Sequence, residues 1–159
     1  MTSVLFLIAS FCGGSGAVCR FVADVCIKSA LSEYAISESA PSKRILLKRI
    51  LSKFSFAKRD LSDLFVLSSL LINCAAGFLT GCLIALFSAQ IISVGLETVA
   101  LTGFCGGFST FSTAVSDLAQ LLREKYFKRF FCFLALALIL PILFGFMGLQ
   151  AVSSLISLF

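Results

Sequence analysis

One uncharged stretch of the chain, residues 101–116, combines side chains and backbone from which an ion site can be built. It holds three glycines and six hydroxyl residues within a run whose hydropathy predicts burial in a membrane. The adjacent Gly106 and Gly107 weaken a helix, and Ser and Thr side chains can bond their own backbone instead of continuing the helix. At membrane depth, non-helical backbone is tolerated where it lines a cavity, and there carbonyls can hold a cation and hydroxyls an anion. The stretch therefore predicts a broken helix with an ion site, although small residues also serve close helix packing without any site.

The composition predicts an integral membrane protein. The 159 residues are 59% hydrophobic and include no His, and the mean hydropathy is +1.06, whereas a soluble domain would need far more polar surface. Four apolar runs are each long enough to cross a hydrocarbon core of about 30 Å: residues 1–27, 64–88, 98–116 and 130–159. We expect an all-α membrane protein, a single domain over residues 1–159 with four transmembrane helices, the third of them broken.

The only long polar segment of the sequence, residues 32–63, has the pattern of a basic amphipathic helix. Its basic pairs Lys43/Arg44 and Lys48/Arg49 alternate with apolar side chains. Such a helix is expected to lie on anionic membrane lipid. Nucleic-acid binding is the weaker interpretation, because it would leave the apolar face uncovered.

The basic residues are strongly biased towards one side of the predicted membrane. The loops after the first and third helices carry eleven Lys and Arg residues, and the opposite side carries none; the eleven are at positions 43, 44, 48, 49, 53, 58, 59, 123, 125, 128 and 129. Since positive loops stay in the cytoplasm, we expect both termini outside and both basic loops inside. The protein would then cross the cell (inner) membrane several times.

Two polar side chains lie within apolar runs, and the residues alone leave two interpretations open for each. Arg20 is followed one turn later by Asp24. It either reaches the interface and forms an ion pair with Asp24, or supplies a fixed positive charge that concentrates anions in a vestibule. Asn73 either bonds a neighbouring helix or offers its NH2 group to an anion in a pore.

Three ordered motifs are distributed along the chain: Gly-Gly-Ser-Gly-Ala-Val-Cys-Arg-Phe at 13–21, Asn73 followed by Phe78 and Gly81, and Thr-Gly-Phe-Cys-Gly-Gly-Phe-Ser-Thr-Phe-Ser-Thr at 102–113. In these motifs the chain resembles the Fluc (CrcB) family of fluoride channels. The resemblance implies a fluoride-specific channel, not an enzyme, that exports cytoplasmic fluoride passively. It also implies an antiparallel dimer with two pores along its interface and a structural Na+ at its centre.

Carried over by position, the resemblance assigns roles to eight residues. The Na+ would be held by the backbone carbonyls of Gly106 and Ser109. The fluoride pore would be lined by Asn73, Phe111, Ser112 and Thr113, and the vestibule by Arg20 and Asp117.

The chain also departs from the family pattern. Ala114 replaces the second aromatic of the pore's "Phe box", and Val115 follows where Ser is common. In addition, the eleven-to-none charge bias opposes insertion of one sequence in both orientations. We therefore hypothesise that this chain is one half of a heterodimer, conducting or non-conducting, whose partner is an oppositely oriented paralogue that supplies the missing aromatic. The alternative is an antiparallel dimer with a second copy of the same chain.

The main alternative is a small multidrug exporter, which also has four helices. Such an exporter needs a membrane-embedded carboxylate in its first helix to exchange protons for a cationic drug. No acidic residue precedes Asp24 here. A membrane enzyme is disfavoured by the absence of His, of paired membrane carboxylates and of a metal-ligand pattern in the sequence.

Overall fold

The computed structural model describes residues 2–36, 61–109 and 111–158, and within these ranges every regular element is a helix. In chain order these are α1 (Thr2–Ile36), α2 (Leu61–Ser88), α3 (Val94–Thr98), a π-helical segment π1 (Val99–Cys105), α4 (Gly106–Phe108), α5 (Phe111–Arg123) and α6 (Phe127–Ile156). The expected amphipathic helix of the 32–63 insertion falls mainly on residues 37–60, which lie outside the described residues. The ends of that insertion, 32–36 and 61–63, continue α1 and begin α2.

Three of these helices are long and apolar enough to cross a membrane: Ser3–Ala30 within α1, Leu67–Ser88 within α2, and Phe127–Ile156, which is α6. Each exceeds the roughly 20 residues that a bilayer core requires. The protein is thus an all-α, multi-pass membrane protein. The third apolar run of the sequence is divided among α3, π1, α4 and α5 instead of forming one long α-helix.

Helices α2 and α6 pack with their backbones in contact. A Cβ atom added at Gly81 would overlap the carbonyl oxygen of Gly145, and one added at Gly148 would overlap the carbonyl oxygen of Phe78. Small residues spaced three or four apart allow such close approach in membrane helices. These glycines therefore serve close packing of α2 against α6.

Helix α1 makes an equivalent contact with the third apolar run. A Cβ at Gly107 would overlap the carbonyl oxygen of Gly13, and a Cβ at Gly16 would overlap the carbonyl oxygen of Phe104. The two glycine-rich motifs of the sequence therefore lie against each other. Their contact holds α1 beside π1 and α4.

The backbone leaves the helical conformation at Ser109. Its φ of −79° and ψ of 140° are extended, although its N–H still donates to the Cys105 carbonyl at 2.9 Å. Before this point the chain forms the wider, underwound helix π1, and the Gly106 N–H donates to the Leu101 carbonyl, five residues back. Short π-helical segments of this kind are rare and frequently occur at functional sites. The sequence analysis did not predict π1.

An apolar cluster joins α5 to α6. It is formed by Ala114, Leu118 and Leu121 of α5 and by Phe133 of α6, all buried. Ala114 is only 2% exposed, so this position is filled by the chain's own core. The hypothesis that a partner supplies an aromatic ring stays a prediction.

Candidate functional site

Two of the predicted site residues meet across the bundle. Arg20 of α1 donates from Nη1 to the Thr113 hydroxyl of α5 at 3.4 Å, over a separation of 93 residues. The Arg20 Nε is buried and has no hydrogen-bond partner within the described part of the chain. A buried donor without a partner is costly, and a guanidinium carries five N–H donors and no acceptor. The environment of Arg20 therefore favours an anion or another acceptor.

Asn73 and Ser109 line one cavity of about 330 Å³. The rest of its lining comes from α2 and α6: Ala76, Gly77, Thr80, Ala137, Pro141 and Gly145. Pro141 lies inside α6 and has no N–H, so the Ala137 carbonyl lacks its usual intrahelical donor. The cavity thus combines an amide, two hydroxyl side chains and an exposed backbone acceptor at membrane depth.

Two adjacent serines of α2 hold the two carboxylates near the end of the bundle. Ser68 donates to Asp24 of α1 at 2.7 Å, and Ser69 donates to Asp117 of α5 at 2.9 Å. Ser68 is fully buried and Ser69 is 5% exposed. Because each serine reaches a different helix, the pair fixes α1 and α5 relative to α2.

Asp24 takes its ionic partner from its own helix. Its second oxygen pairs with the Lys28 ammonium group at 2.5 Å. Among the described residues, no hydrogen bond or ion pair joins Asp24 to Arg20. Of the two interpretations of Arg20, the ion pair with Asp24 is therefore not what the structure shows.

The remaining predicted residues lie around the interruption at Ser109. Gly106 begins α4 and is exposed on this chain, and Ser112 in α5 is also exposed. Phe111 begins α5, but its side chain lies outside the described residues. The structure thus pairs Arg20 with Thr113 and places Asn73 and Ser109 in one cavity.

Backbone oxygens are the groups at the interruption that suit a cation. The extended conformation of Ser109 turns its carbonyl away from the direction of the α4 carbonyls. Among the described residues, a Cβ at Gly106 would meet only the Leu101 oxygen, at 3.7 Å, so that part of the chain leaves the surface beside Gly106 uncrowded. Neutral carbonyl oxygens of this kind coordinate alkali cations in membrane proteins. The donor set is compatible with Na+.

Sequence reasoning missed four residues of this region: Lys28, Ser68, Ser69 and Thr80. The Ser68-Ser69 pair carried a usable signal, since two adjacent hydroxyls in an apolar helix point in different directions and need partners on two neighbouring elements. Thr80 carried a similar signal, because it lies seven residues, or about two helical turns, after Asn73. Nothing in the local sequence, however, identifies the partners.

Comparison with known proteins places the chain in one family. Residues 7–149 match the CrcB-like protein family, Camphor Resistance (CrcB). The chain is 32% identical over 142 residues to fluoride-specific ion channel FluC 3 of Bifidobacterium longum, which covers 89% of this chain and 93% of that protein. It is also 37% identical over 95 residues to FluC 2 of Bacillus cereus, 60% of this chain and 76% of that protein. The chain therefore belongs to the Fluc (CrcB) family.

Proposed function

We propose that this chain is a subunit of a fluoride-specific ion channel that lets cytoplasmic fluoride leave the cell passively. The observation that carries the proposal is the contact between Arg20 and Thr113, because it places a half-buried guanidinium, whose Nε has no partner among the described residues, beside a hydroxyl of the interrupted run. Family membership and the names of the relatives support fluoride as the ion.

The chemistry of the candidate site suits a small, strongly hydrated anion. A pore must replace the hydration shell of the ion without binding it so tightly that it cannot leave. Neutral donors such as the Asn73 amide and the Thr113 hydroxyl offer intermediate strength. In this proposal the full charge of Arg20 acts at a vestibule, where it raises the local anion concentration. Asp117, which is on the same helix as Thr113, belongs to the same vestibule.

The proposed channel needs a fourth membrane crossing and a second subunit. We infer that α3, π1, α4 and α5 together form the broken third crossing, with Phe111, Ser112 and Thr113 lining the pore after the interruption. Two such chains in antiparallel arrangement would bring two copies of the Gly106 and Ser109 carbonyls together. Four neutral oxygens at that point would coordinate a structural Na+, which adds positive charge without blocking the pore.

Two observations bear on the identity of the second subunit, and they favour different partners. The charge bias predicts one orientation in the cell membrane, with both termini outside, and so favours an oppositely oriented paralogue. In support of a second copy of this chain, Ala114 is buried in the chain's own core, so the chain itself fills this position. In detergent the orientation bias no longer acts, so a homodimer of the purified chain can form there.

The proposal is tested by fluoride efflux from liposomes that contain the purified chain, followed with a fluoride electrode. Thr113→Val keeps the side-chain shape but removes the hydroxyl, and we expect efflux to fall by at least about tenfold. Thr98→Val is the matched control, since the Thr98 hydroxyl bonds only its own helix, at the Val94 carbonyl. Equal efflux from the two variants would contradict the assigned role of Thr113, and efflux no faster than from empty liposomes would contradict the proposed function.

A further inference from the structure

Asp24 has basic residues four positions away on both sides, and the structure shows which one it uses. Arg20 precedes it by one turn and Lys28 follows it by one turn. On a helix, the arrangement with the acid on the N-terminal side is the better one, and the observed pair is Asp24 with Lys28. Both groups are largely sheltered, with side-chain exposures of 17% and 28%.

The other oxygen of Asp24 is occupied from a different helix. Ser68, which is fully buried, donates to it at 2.7 Å. The carboxylate thus has one cationic and one neutral donor, and neither is Arg20. The neighbouring carboxylate, Asp117, is likewise engaged by Ser69. Asp24 of α1 and Asp117 of α5 therefore both already have donors.

We propose that Lys28 and Ser68 are positioning residues that hold Asp24 away from Arg20, so that the guanidinium stays open to an incoming anion. The proposal rests on the proposed function, because it assigns Arg20 to anion attraction. Without Lys28, the only other cation one turn away from Asp24 is Arg20. An Arg20–Asp24 pair would cancel the positive charge near Thr113 and bury the donors that an anion would use.

The first test compares fluoride efflux at low ionic strength. Lys28→Met is expected to lower the rate several-fold, up to about tenfold, because Asp24 then turns to Arg20. Lys28→Arg should retain the rate, and adding Asp24→Asn to Lys28→Met should restore it, since no carboxylate is left to pair with Arg20. Lys128→Met, which removes an exposed charge from the start of α6, is the matched control and should leave the rate unchanged.

Efflux per folded protein, with the folded fraction taken from thermal unfolding, separates positioning from simple stabilisation. If Lys28 only stabilised the fold, Lys28→Met would lower the folded fraction and leave efflux per folded protein unchanged, which would overturn the proposal. A double variant as slow as Lys28→Met would overturn the proposal. Should Lys28→Met fail to fold, Ser68→Ala weakens the same restraint on Asp24, and Asp24→Asn should again restore the rate.

The second test does not depend on conduction. A double-mutant cycle of Arg20→Gln and Asp24→Asn, read by thermal unfolding in detergent, measures how strongly the two side chains interact. Arg20 exerts only a weak Coulombic attraction on Asp24, so the two changes should be weakly coupled when Lys28 is present and clearly more strongly coupled in the Lys28→Met background. Strong coupling with Lys28 present would mean that Asp24 already pairs with Arg20, which overturns the proposal. If the unaltered chain carries no fluoride, the proposed function fails with the anion role of Arg20, while this cycle still decides which cation Asp24 uses.

Discussion

The contact between α2 and α6 predicts a sharp difference between two glycine-to-alanine changes. At Gly81, the new Cβ would lie 2.8 Å from the Gly145 carbonyl carbon, 2.9 Å from the Leu149 nitrogen and closer still to the Gly145 oxygen. Carbon atoms pack at about 3.5 Å or more, so relief of the contact with the Gly145 carbon alone requires the two backbones to move apart by at least about 0.7 Å. Backbone atoms on both helices cannot turn away as a flexible side chain can.

The matched control is Gly14 of α1, where a Cβ would meet no heavy atom within 4 Å. Both changes gain the same helix propensity, about 1 kcal/mol relative to Gly. The difference between the two variants therefore isolates the cost of the clash, which is about 1–3 kcal/mol for overpacking. We expect Gly81→Ala to unfold at a lower temperature than the unaltered protein and Gly14→Ala at the same or a higher temperature.

The assay is thermal unfolding of the purified protein in detergent, monitored by circular dichroism. Tryptophan fluorescence cannot be used, because the chain contains no Trp. Because Gly77 and Gly145 also line the cavity with Asn73, Gly81→Ala should slow fluoride efflux as well. Equal unfolding temperatures for the two variants would show that the backbones of α2 and α6 do not touch as described. Equal losses at both positions would also refute the reasoning, because Gly14 has no neighbour within this chain.

Two further changes test local features of the fold. Ser69→Ala removes the hydroxyl that donates to Asp117. Because the sheltered carboxylate then lacks this donor, the free energy of unfolding should fall by about 1–3 kcal/mol. The control Ser153→Ala, on an exposed part of α6, should change the free energy of unfolding by less than about 0.5 kcal/mol. Gln90 follows α2 with a φ of 58°, a left-handed conformation that Gly adopts without the steric cost of a Cβ atom. Gln90→Gly should therefore stabilise the protein by up to about 1 kcal/mol. Gln120→Gly, inside α5, should destabilise it by about 1 kcal/mol. Equal effects of the two serine changes, or shifts of the same sign for the two glycine changes, would contradict these assignments.

The helix-packing surfaces could be predicted from the sequence because their signal is local. Gly77 and Gly81 on α2, like Gly13 and Gly16 on α1, recur at three- or four-residue spacing in apolar runs, and such glycines have few roles other than close packing. The unbroken spans were predictable for the same reason, since their length and composition are sufficient. The C-terminal end of α1 was less predictable, because the helix continues through polar residues to Ile36.

The polar contacts could not be predicted, because their partners are distant in sequence. Arg20 and Thr113 are 93 residues apart, and Ser68 and Asp24 are 44 apart. The sequence places a cation one turn from Asp24 on either side, Arg20 and Lys28, and the fold shows that Lys28 is the one used. The π-helical geometry of residues 99–105 was also beyond reach, since a shift from i+4 to i+5 bonding leaves no clear pattern in side-chain types.

The most direct test of the central claim is the ion selectivity of the purified chain in liposomes. Our account predicts rapid fluoride efflux, with chloride efflux no faster than from protein-free liposomes, because a pore of neutral donors accepts only a small anion. Comparable rates for the two anions, or no fluoride efflux from a preparation that crosslinking shows to be dimeric, would contradict it.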